Sequence, residues 1–153
     1  HRDLHSFPTR RSSDLVKEKL NQIKYLNYDI NRLKQLAEIY EERSHSVPGQ
    51  SFDREKVQTT RNLDAPFVKW IYKKMEVEES IKRKQDKIEL AKVEIMNLVS
   101  ELENYDYQLI LIYRYVHLNG WDEISSSLHI SRATMFRYHK QAIKDLEDKF
   151  DEL

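Results

Sequence analysis

Residues 120–144 read GWDEISSSLHISRATMFRYHKQAIK, and the fold class follows from this stretch. WDEISSSL predicts a short helix, HI predicts a tight turn, and Ser131 is a typical N-cap for the longer helix that starts there. The residues before this stretch, from Asp106 to a stop signal at Asn119-Gly120, predict one more buried helix. A helix followed by two helices that a tight turn joins indicates a helix-turn-helix domain.

The last of these helices separates its side chains into an apolar face and a basic face. Successive residues of a helix are rotated by about 100°. With Met135 at the centre of the apolar face, this rotation places five residues on the same side: Tyr138, His139, Ala142, Leu146 and Lys149. The opposite side holds Ala133, Arg137, Lys140, Gln141 and Lys144, with Arg132 and Phe136 at the flanks. Ser131–Lys144 contains four Lys or Arg and no acid, whereas the nine residues after it contain five acids and one Lys. A basic stripe is therefore predicted on the exposed face.

This basic helix has the chemistry that the major groove of DNA requires. Arg can bond guanine through two hydrogen bonds, Gln can bond adenine, and a Thr methyl or an aromatic edge can meet the thymine methyl. Lys can contact phosphates, which positions a protein without reading the base sequence. The recognition helix is predicted at Ser131–Lys144, with DNA contacts from Ser131, Arg132, Ala133, Thr134, Phe136, Arg137, Lys140, Gln141 and Lys144. The alternative interpretation is a solvated basic face that binds no DNA.

Two long amphipathic segments precede this domain. From about Val16 to Arg43 one apolar stripe recurs at three- and four-residue steps, and a polar loop is predicted at about 44–64, where Pro48-Gly49 marks a turn. From about Ala65 to Asn104 a seven-residue apolar repeat typical of a coiled coil has two gaps, at Lys74 and Lys84. Residues 16–104 are therefore predicted to form a long antiparallel coiled-coil hairpin, and residues 105–153 the helix-turn-helix domain. The alternative for the charged region is a solvated helical spacer.

Composition limits the classes of function that the chain can have. The 153 residues have a formal net charge of zero and include no Cys and only two Gly. Thiolate metal sites and a Cys nucleophile are therefore excluded, and a Gly-rich phosphate loop could hardly be built. The histidines do not form a metal-binding pattern with carboxylates, so neither an enzyme nor a cofactor is expected. The longest apolar run is far shorter than the roughly 20 residues of a membrane helix, and a cytoplasmic protein without a membrane partner is expected.

Residues 110–146 resemble region 4 of bacterial sigma factors, the part that binds promoter DNA. The likeness is carried by RYV at Arg114–Val116, by WDEI at Trp121–Ile124, and by Leu128, Ile130 and Ser131. The order of hairpin, polar segment and sigma-like domain, over roughly residues 20–146, is similar to small phage-encoded regulators that include the ArpU-type late-gene activators. The family usually has Ala where this chain has Ser125, and Gly where it has His129. His accepts left-handed backbone geometry at a cost, so a less sharp turn and a slightly re-aimed recognition helix are expected.

The first residues, His1–Leu15, read HRDLHSFPTRRSSDL and need a separate interpretation. HRDL matches the start of a kinase catalytic loop, but the Gly-rich loop, the strand Lys and the Asp-Phe-Gly of a kinase are absent. A basic DNA-binding arm is a second candidate. The codons that can encode this segment resemble a common short-read sequencing adapter. We therefore interpret His1–Leu15 as adapter-derived, expect it to pack on nothing, and expect the native N-terminus upstream of Val16 to be missing.

The expected function is that of a sequence-specific DNA-binding transcriptional regulator of phage or prophage origin. Its expected partners are double-stranded DNA, RNA polymerase and a second copy of the chain. The helical hairpin is expected to mediate either self-association or contact with RNA polymerase. One alternative is a DNA-packaging component that resembles a small terminase subunit. Another is a coiled-coil protein-interaction module that does not bind DNA. Stoichiometry and salt-dependent DNA affinity distinguish the three.

Overall fold

The structure is a computed structural model that describes residues 11–45 and 66–152. Its helices are α1 (Ser12–Leu20), α2 (Gln22–His45), α3 (Pro66–Val99), α4 (Tyr105–Leu111), α5 (Trp121–Leu128) and α6 (Arg132–Asp151), with a π-helical turn at Ile112–Val116 directly after α4. No strand occurs among the described residues. The predicted all-α class is confirmed, and Pro66 is the first residue of α3, as its missing N–H allows.

The first predicted helix is two helices, separated at Asn21. The Asn21 side-chain Nδ2 donates to the Lys17 carbonyl oxygen at 2.9 Å, so its amide competes with the backbone ladder of the helix. Asn21 has φ −90° and ψ 4°, outside regular helix geometry. The helical region is predicted from about Val16 to Arg43. In the structure it begins earlier, at Ser12, and ends two residues after Arg43, at His45.

The first turn of α1 includes the end of the adapter-like segment. The prediction that His1–Leu15 packs on nothing is wrong for Ser12, Ser13 and Leu15, which are half-buried. Residues 1–10 lie outside the described residues. The predicted loop at about 44–64 also lies outside them, except for the last two residues of α2. The adapter-derived origin of His1–Leu15 stays a prediction from its sequence.

The chain divides into two compact units, residues 1–25 with 88–153, and residues 26–87. In the second unit, the residue pairs show that α2 and α3 run antiparallel, because their numbers rise along one helix and fall along the other. Lys84 Nζ lies 3.4 Å from Asp29 Oδ2, and Lys74 Nζ lies 3.3 Å from Glu41 Oε2. The rings of Tyr40 and Trp70 stack with centroids 5.7 Å apart. The supercoiling of a coiled coil stays a prediction.

The two lysines that interrupt the heptad pattern of α3 are the ones that meet acids of α2. The hydrogen bond that Lys74 donates to Glu41 is the main cause that raises the pKa of Lys74 above its ordinary value. The apolar positions between them are buried at Ile30, Ala37 and Val77. Pairs of this kind along an apolar seam favour one register and one direction of the partner helix.

The first unit is built around α6. Helix α6 packs against α1, α4 and α5, and its residues Met135, Ala142 and Leu146 are fully buried. Val16 and Leu20 of α1, and Ile95 and Val99 of α3, are also buried. Burial of each large apolar side chain contributes about 1.5–3 kcal/mol. The first unit thus joins α1 and the end of α3 to the helices of the predicted domain 105–153, and this division differs from the predicted boundary at 104–105.

Helix α3 ends at Val99, earlier than predicted, and the helix after it also ends earlier than predicted. Asn104 is not the end of α3 but the N-cap of α4, where its side chain accepts hydrogen bonds from the backbone N–H of Asp106 and Tyr107. The helix predicted to stop at Asn119-Gly120 ends at Val116. A backbone bond from His117 to Ile112, at 3.1 Å, widens its last turn, and the left-handed residue is Leu118 (φ 56°). Gly120, with φ −72°, is the N-cap of α5.

Candidate nucleic-acid interface

The start of α6 is set by the two residues that the sequence singled out. His129 has φ 56° and ψ 42°, the left-handed conformation in which the C-terminus of α5 ends. Ser131 is the N-cap of α6, and its Oγ accepts from the Thr134 backbone N–H at 3.1 Å. The same hydroxyl donates to Thr134 Oγ1 at 2.9 Å. The turn and the N-cap are confirmed, and Ser125, where the two helices approach, is buried.

The predicted division of α6 into two faces is also found. Met135, Ala142 and Leu146 are buried, and Tyr138, His139 and Lys149 are half-buried. The side chains that face solvent are Ser131, Arg132, Ala133, Phe136, Arg137, Lys140, Gln141 and Lys144. Thr134 differs, because it is half-buried and its hydroxyl is bonded to the N-cap. Contact of these residues with DNA stays a prediction.

Besides Ser131, the exposed face has two further polar side chains that are bonded within the protein. Arg132 Nη1 lies 2.9 Å from Asp122 Oδ1 of α5. Gln141 Nε2 donates to Asp145 Oδ1 at 2.8 Å, one turn further along α6. In the described part of the chain, Lys140 and Lys144 take part in no ion pair. A nucleic acid would therefore meet both unpaired and paired polar groups on one face.

Helix α6 is supported by an aromatic cluster from the turn after α4 and from α5. The Arg114 guanidinium carbon lies 4.1 Å from the centroid of the Trp121 ring, and Arg114 Nη1 donates to the Asn119 carbonyl oxygen at 3.0 Å. The Trp121 ring meets the Phe136 and His139 rings edge-on, with centroids 5.1 and 4.8 Å away. Arg114 thus links the residues just before α5 to the Trp121 ring, which packs against α6.

A hydrogen bond joins the same turn to the middle of α6. Tyr115 Oη lies 2.8 Å from His139 Nε2. Burial, helped by the nearby positive charge of Arg114, lowers the pKa of His139, and burial raises the pKa of Tyr115. Burial thus favours the uncharged form of both side chains, and the hydrogen bond between Tyr115 Oη and His139 Nε2 joins two groups of this kind. His139, which the sequence places on the apolar side of α6, is half-buried.

Sequence reasoning missed three neighbours of the basic face. Asp122, Arg114 and Tyr115 contact it or its supporting rings, but none belonged to the predicted contact set. The RYV motif at Arg114–Val116 was the available signal for two of them, because it is a dense polar and aromatic run inside a buried helix. No local signal pairs Asp122 with a residue beyond the turn.

Two kinds of feature were not found in the described part of the chain. Among those residues, no group of His, Cys, Asp or Glu side chains is arranged to hold a metal ion. Within the same residues, no helix combines the length and the apolar character that crossing a membrane requires.

Comparison with protein families gives one match. A family model described as a protein of unknown function (DUF1492) matches residues 46–147, more than half of the chain. The chain belongs to the DUF1492 family. No curated protein and no solved structure matches it.

The DUF1492 region contains the whole basic face of α6, together with α3, α4 and α5. It also contains Arg114, Tyr115 and Asp122, the neighbours that the structure adds to the site. Helix α1 and helix α2 precede it. The candidate interface is therefore a feature of the family region, whereas part of the packing behind α6 comes from α1.

Proposed function

We propose that this DUF1492 protein is a sequence-specific DNA-binding transcriptional regulator of phage or prophage origin, and that α6 is its recognition helix. The observation that carries the proposal is the exposed face of α6, where Arg132, Arg137, Lys140 and Lys144 face solvent without an acid between them in sequence. A B-DNA major groove is wide enough to admit one α-helix in this orientation.

The distribution of charge supports a local rather than a global attraction to DNA. The formal net charge of the chain is zero, so a field over the whole surface cannot supply the attraction. The second half of α6 carries acids instead, at Asp145, Glu147, Asp148 and Asp151. This change of sign along one helix favours insertion of its N-terminal half into the groove, with the C-terminal half pointing away from the phosphates.

The packing of α6 supports a reading helix that is held rigidly. Its N-cap, its buried side on α1, α4 and α5, and the rings of Trp121 and Tyr115 restrain it along most of its length. Base readout needs side chains that start from a fixed backbone, because a contact displaced by an ångström loses its hydrogen-bond geometry. The solvent-facing residues of the helix start from such a backbone.

The likeness of residues 110–146 to sigma region 4 is the argument for the regulatory role. It makes RNA polymerase the expected protein partner and the bacterial cytoplasm the expected compartment. The antiparallel pairing of α2 with α3 in the second unit suits a hairpin that binds a second copy of the chain. No catalytic role is proposed.

The test is selection of bound fragments from the source genome, followed by binding isotherms on the selected site and on a random duplex. We expect a preferred site upstream of a transcribed gene, with affinity that falls steeply as salt rises. Absence of any salt-dependent affinity would favour a protein-docking role for the sigma-like domain. Sedimentation of the free protein separates the remaining alternative, because a large closed ring favours DNA packaging and a monomer or dimer favours regulation.

A further inference from the structure

One of the four cations on the basic face of α6 is held by an acid from another helix. Arg132 is the first residue of α6, and its Nη1 lies 2.9 Å from Asp122 Oδ1 in the first turn of α5. Its guanidinium carbon also lies 5.5 Å from the centroid of the Phe136 ring. Both side chains of the pair stay accessible, with 58% of Arg132 and 79% of Asp122 exposed. The pair therefore lies on the surface that DNA would approach.

The other three cations of this face have no such partner. In the described residues, Arg137, Lys140 and Lys144 form no ion pair, and Arg137 lies only over the Tyr138 ring, at 5.7 Å. An arginine that is bonded to a carboxylate contributes less to the attraction of phosphates, because the carboxylate cancels its charge at short range. The face thus presents three unmasked cations and one masked cation.

We propose that Asp122 masks Arg132 from the phosphates of random DNA, and thereby raises the specificity of the protein. The inference rests on the proposed function, and it makes Asp122 a positioning residue that acts through Arg132. Phosphate contacts supply the sequence-independent part of binding. Each cation withheld from them weakens binding to all the competing sequences. At the preferred site, a base edge that accepts two hydrogen bonds from the guanidinium can compete with the carboxylate.

The neighbouring acid provides a matched control. Glu123 follows Asp122 in the same first turn of α5, its side chain is exposed, and in the described residues it forms no ion pair. Replacing either acid by its amide removes one negative charge and the same favourable interaction with the helix N-terminus. Only Asp122→Asn also releases Arg132. The difference between the two variants therefore isolates the masking effect from general electrostatics.

The experiment compares binding of a random-sequence duplex by the full chain at several salt concentrations. We expect Asp122→Asn to tighten random binding by roughly three- to tenfold and to steepen the salt dependence by about one ion. Glu123→Gln should change the affinity less and leave the slope unchanged. Asp122→Glu keeps a carboxylate within reach and should behave like the wild type. In an Arg132→Ala background, Asp122→Asn should do no more than Glu123→Gln does.

Two outcomes would overturn the inference while leaving the proposed function intact. One is an equal effect of Asp122→Asn and Glu123→Gln, which would reduce both to loss of an acid near DNA. The other is an undiminished effect of Asp122→Asn when Arg132 is already Ala. A wild-type protein without salt-dependent affinity for any DNA would instead overturn the proposed function, and the inference with it. Circular dichroism of each variant establishes that the compared proteins are equally folded.

Discussion

Arg137 and Lys144 lie on the same exposed face of α6, but they would meet different parts of a DNA duplex. Seven residues separate them, which at 1.5 Å per residue is about 10 Å along the helix axis. Arg137 is one turn past Ala133, near the end of α6 that would enter the groove, whereas Lys144 is close to the acidic half of the helix. Their side chains should therefore contribute to binding in different ways.

Arg137→Ala should weaken binding to the preferred site by roughly 1–3 kcal/mol and relax the sequence preference, as loss of a bidentate base contact does. Lys144→Ala should weaken binding to specific and random DNA about equally and reduce the salt slope by about one ion. Isotherms on both DNAs at several salt concentrations measure these quantities. An unchanged ratio of specific to random affinity in Arg137→Ala would show that α6 is not the reading helix.

His139 makes the stability of the site depend on pH. Burial lowers its pKa in the folded protein, so the folded state binds this proton more weakly than the unfolded state does. The stability that neutral His139 contributes is thus fully present above the pKa of the unfolded chain, about 6.5. It is lost as the pH falls below that value and through the lower pKa of the folded state.

Thermal unfolding between pH 8 and pH 5 tests this dependence. We expect the melting temperature of the wild type to fall on acidification more than that of His139→Gln, whose amide can still form a hydrogen bond with Tyr115 Oη as donor or acceptor. The other histidines are common to both proteins, and their effects cancel in the comparison. Parallel pH profiles for the two proteins would contradict the assignment of the proton to His139.

At the scale of the element, α3 has one side that packs and one that faces solvent, as its apolar repeat predicts. Ile88 and Ile95, two members of that repeat spaced seven residues apart, are 9% and 0% exposed and form part of the buried seam of α3. Val93, on the same helix, is 58% exposed. The two sides of one helix therefore offer a comparison in which helix propensity and charge change alike and only burial differs.

Ile95→Asp should lower the free energy of unfolding by several kcal/mol, roughly the cost of leaving a charge unpaired in a buried position. Val93→Asp introduces the same charge into solvent and should change stability by about 0.5 kcal/mol or less. Urea unfolding followed by circular dichroism gives both values. Equal losses in the two variants would show that the seam of α3 has been placed on the wrong face.

At the scale of the whole molecule, charge is balanced in number but separated in space. The chain has 26 basic and 26 acidic residues, yet the exposed face of α6 carries four cations and no acid from Arg132 to Lys144. If this local arrangement binds DNA, then removal of the same number of cations elsewhere should matter far less, although the net charge changes equally.

Replacing the four cations of α6 by Ala should abolish measurable DNA binding at physiological salt. The matched control replaces four exposed lysines elsewhere in the chain, at Lys17, Lys34, Lys82 and Lys87. The control should retain most of the affinity and the salt slope of the wild type. Comparable losses in the two proteins would mean that binding depends on net charge, and would remove the reason for assigning it to α6.

The sequence by itself determined the helical class, the helix-turn-helix and the two faces of α6. These features depend on neighbours along the chain. A repeat of 3.6 residues assigns each side chain to a face, a serine hydroxyl reaches the N–H three residues later, and a Pro is tolerated in the first turn of a helix. Ser131, His129 and Met135 could be placed for this reason, because each has its effect within about one turn of helix.

Only the tertiary structure decided which distant residues surround the site. The break at Asn21, the left-handed Leu118, the bond between Tyr115 and His139, and the pair of Asp122 with Arg132 have weak or no signatures in sequence. Each depends on where packing places one helix against another, and small differences in local preference are overridden by the burial of whole apolar faces. Sequence periodicity therefore predicts which side of α6 is exposed, whereas the folded chain alone determines which of its cations are masked.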